Sequence, residues 1–156
     1  MDDSERTLLQ SLLTDQRVGV LSVLVDGRPY ASLVPFAMIE LFGAALIHAS
    51  QLAQHSQGLT AGAPFSLLVH EQDARLEINP AQLGRVSLQG TVRPFDRQEE
   101  SYSEARNLYL AKFPRSGATF QLSDFTLHAL QVASGRFVAG FAKSFDLTPE
   151  DLAKLA

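Results

Sequence analysis

The chain has 156 residues, of which 46% are hydrophobic, and its formal net charge is −4. This length and apolar content suit one folded domain with a continuous core and argue against a disordered chain. A negative net charge offers no electrostatic footprint for nucleic acid. Cysteine is absent, which excludes disulfides, thiolate metal sites and cysteine nucleophiles.

The hydropathy of the sequence predicts a soluble protein. Residues 1–10 are acidic and polar, unlike the basic and then apolar order of a signal peptide. The longest apolar stretch, residues 31–46, is interrupted by Pro35, Glu40 and Gly43 and is too short to span a bilayer. We therefore expect no membrane partner and no nucleic-acid partner. The expected location is the cytoplasm, which fits the lack of cysteine.

Hydrophobic periodicity and turn signals predict alternating groups of strands and helices. In chain order, the first half is expected to form a helix over 2–14 capped by Asp3 or Ser4, strands over 18–25, 28–38 and 44–49, a short helix over 50–57 capped by Ser50, and a strand over 65–70. The second half is expected to form a strand over 85–93, a helix opened by an Asp96/Glu99 capping box and running to about Phe113, strands over 125–132 and 137–141, and a closing helix capped by Thr148. Leu108, Leu110 and Phe113 are expected on the buried face of the long helix. The strongest signal is Asp26-Gly27 between two β-rich runs, because this pair tolerates positive φ in a tight turn. The strand order predicts one barrel domain over residues 1–156, with helices at its ends.

The histidines and the usual catalytic motifs give little support to metal or nucleophile chemistry. Four histidines are present: His48, His55, His70 and His128. His48 and His55 have no carboxylate at ligand spacing, so a hydrogen-bonded histidine is the favoured interpretation in each case. The motifs G-x-S-x-G, G-x-G-x-x-G and G-x-x-x-x-G-K-[ST] are absent. Their absence argues against a serine nucleophile elbow and against Rossmann or P-loop nucleotide binding.

The junction between the strand over 44–49 and the helix expected at Ser50 is a candidate anion site. Free backbone N–H groups and the helix dipole would favour an anion at such a helix start. Ser50 adds a hydroxyl, His55 lies in the next turn, and Arg28 and Arg85 are further candidates to supply positive charge. On spacing alone, the favoured alternative is that Ser50 is an ordinary cap and His55 a surface residue.

Three sequence runs, in their order, resemble a known superfamily. They are Gly27-Arg-Pro-Tyr-Ala-Ser-Leu-Val-Pro-Phe36, Ala45-Leu-Ile-His-Ala-Ser-Gln-Leu-Ala-Gln-His-Ser-Gln-Gly-Leu59 and Phe65-Ser-Leu-Leu-Val69. With later segments they resemble, over roughly residues 17–143, the pyridoxamine 5′-phosphate oxidase-like FMN-binding split barrels, and most of all their heme-utilisation branch. The resemblance implies a β-rich α+β fold: a six- to seven-stranded antiparallel split β-barrel with flanking helices. It also implies a homodimer with the cofactor at the subunit interface.

The sequence departs from the oxidase pattern where the oxidases bind phosphate. Ser32 stands in place of the arginine that begins the flavin-contacting strand, and Gln54 and His55 stand in place of a basic pair. The resemblance therefore implies a phosphate site poorer in charge, and pyridoxamine phosphate oxidation is not expected. Members that handle heme extend into a second domain with a heme-ligating histidine, whereas no histidine follows His128 here. We therefore expect a relative of the heme-utilisation branch that lacks this C-terminal domain.

The resemblance implies a set of cofactor-binding residues and leaves the function open among three hypotheses. The residues are Ser32, Leu33, Val34 and Pro35 along the flavin ring, His48, Ala49, Ser50, Gln54 and His55 near its phosphate, and Arg85 and Arg136 as further anion partners. No catalytic residue and no metal ligand is assigned. The leading hypothesis is an FMN-dependent oxidoreductase of unknown substrate. The alternatives are a heme-binding or heme-utilisation protein without catalysis, and a ligand-free dimeric regulatory domain.

Overall fold

A tight hairpin starts the sheet, as Asp26-Gly27 predicts. In the computed structural model, which describes residues 1–155, β1 (Val18–Val25) and β2 (Arg28–Pro35) pair antiparallel along their whole length. Both turn residues have positive φ, 51° at Asp26 and 72° at Gly27, which matches the turn to the twist of the strands. After Phe36 the same extended segment continues as the two-residue β3 (Ala37–Met38).

The other elements follow the predicted order with several changes of boundary. The remaining strands are β4 (Ala44–Ser50), β5 (Pro64–His70), β6 (Arg85–Pro94), β7 (Phe125–Gly140) and β8 (Lys143–Leu147). The α-helices are α1 (Asp3–Thr14), α2 (Glu100–Lys112) and α3 (Pro149–Ala153). Short 3₁₀ helices occupy Glu40–Phe42, Gln54–Gly58, Pro80–Gln82 and Pro114–Gln121.

The sheet curls into a barrel because the continuous segment over residues 28–38 forms the strands at both ends of the sheet. The strand order is β2-β1-β5-β6-β7-β4-β3, every pair is antiparallel, and β8 pairs with β7. Residues 28–35 pair with β1, whereas Ala37 and Met38 pair with β4. The side of β2 that faces away from β1 has no strand partner in residues 1–155, and we call this side the open edge. The predicted antiparallel split barrel with flanking helices is therefore confirmed.

Two apolar clusters fill the molecule, one on each face of the sheet. The larger lies inside the barrel and includes Leu21, Ile47, Leu88 and Phe137, which are at most 1% exposed. The smaller lies between the outer face of β4 and β7 and the helix α2, around Leu46 and its neighbours. Successive residues of β4 therefore contribute to different clusters, as the period-two alternation of a strand requires.

The first and last helices begin at capping boxes. At α1, Asp2 rather than Asp3 or Ser4 is the cap: its carboxylate accepts from the Glu5 N–H at 2.9 Å, and Glu5 accepts from the Asp2 N–H at 2.7 Å. The predicted cap of α3 is confirmed, because Thr148 and Asp151 make the same reciprocal pair. Each box satisfies backbone donors that the first turn of a helix would otherwise leave free.

The helix predicted over 50–57 is wrong. The strand β4 extends through Ser50, a turn follows, and only the 3₁₀ helix Gln54–Gly58 forms, without a side-chain cap. The physical reason is backbone pairing with a distant segment: Ser50 pairs with Phe125 of β7, and the Gln51 N–H donates to the Asp124 carbonyl oxygen at 2.6 Å. The helix start on which the predicted anion site depended is therefore absent at Ser50.

Three other boundaries differ from prediction. Strand β7 runs unbroken where two strands were expected around Gly135, and the strand β8 was not predicted. The helix α2 begins at Glu100, and the predicted Asp96/Glu99 capping box forms only in part. Oε2 of Glu99 accepts from the Asp96 N–H at 3.1 Å, but the Asp96 carboxylate accepts from the Gln98 N–H instead of the Glu99 N–H, and Glu99 also pairs with Arg93. Of the residues predicted for the buried face of the long helix, Leu108 is 42% exposed, Leu110 is half-buried and Phe113 is buried. Ala105 and Tyr109 are the buried residues within α2.

Candidate functional site

The open edge of β2 brings together two residues that were predicted to bind the cofactor, Ser32 along its ring and His55 near its phosphate. The 3₁₀ helix Gln54–Gly58 packs beside this edge, and there the Oγ atom of Ser32 lies 3.0 Å from Nδ1 of His55. Both side chains are half-buried. Burial lowers the pKa of the His55 imidazole below its ordinary value, so the ring is mainly neutral at pH 7. The pair is thus a neutral hydrogen-bonding group.

A cleft at the hairpin end of the same edge supplies a full positive charge. It has a volume of about 540 Å³ and is lined by Val25, Asp26, Arg28, Pro29, Tyr30 and Gln54. No ion pair to the Arg28 guanidinium forms within the described residues. Gln54 precedes His55 in the chain, so this cleft and the Ser32–His55 pair belong to one region. Asp26 also lines the cleft and reduces its net charge.

The inside of the barrel contributes a residue that the sequence analysis did not assign to the site. His128 pairs with Ile47 in the sheet register, so its side chain faces the interior, where it is 5% exposed. Its Nδ1 atom has no hydrogen-bond partner within residues 1–155. Burial, and to a smaller extent the charge of the nearby His55, lowers the pKa of His128 to about 4. The alternation of β7, with Leu130 and Val132 on the same face, is the signal that could have placed His128 inside.

His48 lies on the opposite face of the sheet from this region. Its ring stacks on Phe120 with the centroids 3.7 Å apart and the planes 4° from parallel, and its Nδ1 atom is 3.2 Å from the Thr119 hydroxyl. Burial lowers the pKa of His48 to about 4. Its neighbour Ala49 faces the barrel interior and is buried. The structure therefore does not bring His48 together with Ser32 and His55.

Ser50 and its surroundings disfavour an anion. The Ser50 hydroxyl donates to Oδ2 of Asp124 at 2.9 Å and accepts from the Leu52 N–H at 3.1 Å. A carboxylate at this position would repel a phosphate group. The part of the predicted site that the structure brings together therefore consists of Ser32, Gln54 and His55, joined by Arg28.

Arg85 and Arg136 are engaged elsewhere. Arg85 donates to the carbonyl oxygens of Ala81 and Leu83, both at 3.1 Å. Arg136 forms an ion pair with Asp146 on β8 at 2.6 Å and a hydrogen bond with the Ser144 hydroxyl at 2.8 Å. Arg85 thus binds the segment over residues 81–83, and Arg136 links β7 to β8. Neither guanidinium is engaged at the open edge of β2.

The outer face of the hairpin is apolar and uncovered. Leu33 on β2 is 66% exposed, and Leu24 and Val18 on β1 are 48% and 43% exposed. The register places these side chains on one face, since Leu33 pairs with Val20 and Pro35 with Val18. Val34, between Leu33 and Pro35, points inward and is buried. The residues predicted to lie along the flavin ring therefore alternate between this outer face and the core.

The described part of the chain contains neither a cluster of metal ligands nor a helix that could cross a membrane. No group of three or more metal-ligating side chains is present among those residues. No helix in residues 1–155 is both long and apolar enough to cross a bilayer.

The antiparallel split barrel and its open-edge site define the class of protein to which the comparisons point. A family model described as pyridoxamine 5′-phosphate oxidase matches residues 6–139. The chain belongs to the pyridoxamine 5′-phosphate oxidase family, and the resemblance seen in its sequence is confirmed. No curated protein matches the chain significantly.

Several solved structures share the fold at low sequence identity. A heme binding protein from Mycobacterium smegmatis is 23% identical with a TM-score of 0.82, over 99% of this chain and 62% of that one. HutZ, the heme storage protein from Vibrio cholerae, is 17% identical with a TM-score of 0.71, over 96% of this chain and 97% of that one. The FAD and heme binding protein from Mycobacterium smegmatis is 19% identical with a TM-score of 0.66, over 96% of this chain and 77% of that one. The chain thus spans about three fifths of the length of the first of these proteins.

Proposed function

We propose that this chain is a single-domain FMN-binding protein that acts as an FMN-dependent oxidoreductase on a small molecule. The observation that carries the proposal is the convergence of Arg28, Ser32, Gln54 and His55 on the open edge of β2. Membership of the pyridoxamine 5′-phosphate oxidase family supports a flavin, and the cytoplasm remains the proposed location.

The residues at the open edge fit the phosphate end of such a cofactor. Arg28 offers a guanidinium that no described carboxylate neutralises, and guanidinium groups bind phosphate through paired N–H donors. Gln54 and Ser32 add neutral donors. The buried His128 leaves a ring nitrogen without a partner beside the same region, so unused hydrogen-bonding capacity is present. One cation among neutral donors is a weaker phosphate site than two or three cations would be.

The protein's part in catalysis is to bind and orient. When bound, FMN would supply the redox chemistry by accepting and donating electrons. His55 has a lowered pKa and is neutral at pH 7, so it can donate one hydrogen bond and accept another without carrying charge. The exposed Leu33 and Pro35 offer an apolar surface against which a flat ring system could lie.

A homodimer would cover the apolar outer face of the hairpin. Leu33, Leu24 and Val18 form one exposed patch, and patches of this kind mark interaction sites. A second copy of the chain is the proposed partner, because symmetric pairs are the commonest oligomers and the same patch can face itself. The cofactor would then lie at the interface, beside the open edge of each subunit.

Heme is the second candidate ligand. Three solved proteins with this fold are described as binding or storing heme. The apolar patch around Leu33 could contact a porphyrin, and Arg28 could bind a propionate. Few side chains in the structure could serve as an axial ligand of the heme iron. His128 is buried, and His48 is stacked on Phe120 with its Nε2 atom buried, which leaves His55 and His70 nearer the surface.

An absorption spectrum of the purified protein tests these proposals. FMN should give bands near about 375 and 450 nm, whereas heme should give a Soret band. A colourless protein that also takes up neither added FMN nor added heme would contradict both cofactor proposals and favour a ligand-free dimer.

An arginine variant tests where the flavin binds. Arg28→Gln should weaken FMN binding by about tenfold, since hydrogen bonds to charged groups are worth roughly 1.5–3 kcal/mol. The matched control is Arg75→Gln, which removes the same charge from an exposed loop. Equal affinities for the two variants would remove Arg28 from the site.

A further inference from the structure

A second cleft, which shares no lining residue with the cleft at Arg28, contains three cations. It has a volume of about 570 Å³ and lies where the end of α1 meets the end of α2. It is lined by Thr14, Asp15, Arg17, Lys112, Phe113, Pro114, Arg115 and Ser116, and we call it the cationic cleft. With Asp15 as its one acidic lining residue, the formal charge of the lining is +2 (three cations less one carboxylate), in a chain whose net charge is −4.

The three cations are not neutralised by the protein. None of Arg17, Lys112 and Arg115 forms an ion pair with a carboxylate in the part of the chain that the structure describes. Other cations in the molecule do pair in this way, for example Arg93 with Glu99 and Lys143 with Glu5. Like charges gathered in one cleft raise the local concentration of counter-ions of opposite sign.

Two of these cations are held in place by aromatic rings. The Lys112 Nζ atom lies 4.6 Å from the centre of the Phe36 ring and donates to the Gln16 carbonyl oxygen at 2.6 Å. The Arg17 guanidinium lies 5.6 Å from the centre of the Phe113 ring. Contacts of this kind fix a cation before a ligand arrives, which lowers the entropy cost of binding.

Lys112 can remain a donor to a ligand despite its contact with Gln16. An ammonium group has three N–H donors, and a single hydrogen bond within the described chain accounts for one of them. Burial lowers the pKa of Lys112 to about 8, so the group is still mainly protonated at pH 7. The hydroxyls of Thr14 and Ser116 add neutral donors to the same lining.

We propose that the cationic cleft binds a phosphate-bearing small molecule, at a site separate from the one that holds the flavin. A multiply charged oxyanion suits two guanidinium groups from different chain segments plus one ammonium group, because each guanidinium can bind two oxygens. A single carboxylate would use only part of this charge. The proposal stands independently of the proposed flavin function.

Inorganic pyrophosphate is a suitable probe, used on the purified chain with any bound flavin left in place. Isothermal titration at low ionic strength should detect binding that weakens as salt is added, because exposed cations are screened. The double variant Arg17→Gln/Arg115→Gln should weaken binding by about tenfold or more. Both side chains are exposed, so the variant should fold, and its circular dichroism spectrum checks this.

Two comparisons make the result specific. The control Arg75→Gln/Lys154→Gln removes the same two charges elsewhere and should leave the affinity within about twofold. Arg28→Gln should leave pyrophosphate binding unchanged while weakening FMN, which separates the two sites. The proposal is overturned if pyrophosphate does not bind, if the control weakens binding as much as the cleft variant, or if Arg28→Gln abolishes binding and the cleft variant does not.

Discussion

At the scale of single residues, three histidines of the barrel lie in different surroundings. The Nδ1 atom of His55 lies within hydrogen-bonding distance of the Ser32 hydroxyl at the open edge. His128 is enclosed in the interior with a ring nitrogen unpaired, and His48 is stacked against Phe120 on the outer face of the sheet. Burial lowers the pKa of each ring, so all three are mainly neutral at pH 7.

The role of His55 can be tested by truncation. His55→Ala removes a hydrogen-bonding ring from the open edge and should weaken FMN binding by about threefold to tenfold, the value of one neutral hydrogen bond. Quenching of flavin fluorescence gives the affinity. His70→Ala is the control, because His70 is exposed and bonds only to the carbonyl of Glu71. An affinity unchanged by His55→Ala would place the flavin elsewhere.

Acid should destabilise the fold through His128. The pKa of its imidazole is about 4 in the folded chain against an ordinary value of 6.5, so below pH 6.5 the unfolded chain binds protons that the folded chain does not. The free energy of unfolding should therefore be highest above pH 6.5 and fall as the pH drops toward 4, by on the order of 3 kcal/mol for this buried group.

Urea denaturation at pH 7 and at pH 5 measures this loss. His128→Leu should reduce the loss without abolishing it, because burial lowers the pKa of His48 to about 4 as well. The exposed His70 serves as the control, since His70→Gln should leave the pH dependence as it is in the unaltered chain. A free energy of unfolding that is equal at pH 7 and pH 5 would contradict the assignment. Carboxylates contribute little over this range because their ordinary pKa values lie lower.

At the scale of elements, the pairing of β6 with β7 depends on one glycine. The register shifts between Gln89 and Gly90, where β7 carries an extra residue. A Cβ atom at Gly90 would overlap the carbonyl oxygen of Gln131 and approach the Ala133 nitrogen. The glycine is therefore required by the close approach of the two backbones at this bulge.

Gly90→Ala should destabilise the barrel by roughly 2–4 kcal/mol, because backbone rather than a flexible side chain must move. Gly117→Ala is the matched control: a Cβ there has no neighbour within 4 Å, and φ is not positive. Thermal unfolding of the two variants compares them directly. A melting temperature for Gly90→Ala equal to that of the control would show that the bulge relaxes.

Elements that depend on local chemistry could be predicted from the sequence, and elements that depend on distant partners could not. The Asp26-Gly27 hairpin and the Thr148 cap need only neighbouring residues, and both predictions are confirmed. The helix expected at Ser50 does not form because the backbone of Ser50 and Gln51 pairs with Phe125 and Asp124, which are distant in the chain. Strand β7 continues through Gly135 because β6 and β8 pair with it on both sides.

The candidate site follows the same rule. Ser32 and His55 could be named in advance because the family resemblance places them by position. Arg28 was only a further candidate, and its cleft with Gln54 depends on how a turn and a 3₁₀ helix meet in space. His128 and the cationic cleft arise from strand pairing and helix ends that one-dimensional spacing does not show.

At the scale of the whole molecule, the outer face of the hairpin should control assembly. Leu33→Asp places a charge in the middle of the exposed apolar patch and should convert the proposed dimer into a monomer, measured by sedimentation velocity. Leu52→Asp is the control, because Leu52 is 89% exposed but lies on a turn away from the patch. A Leu33→Asp protein that sediments like the unaltered chain would contradict this interface.

Because residues 28–38 join both ends of the sheet, they also determine the order in which the strands can pair during synthesis. β1 and β2 can pair as soon as they leave the ribosome, because only a two-residue turn separates them. β4 must wait for β7, which lies more than half of the chain further on. Barrel closure is therefore a late, non-local step of synthesis, and such steps are slow. Until it occurs, the nascent chain exposes the future interior, and this is when it most needs protection from aggregation.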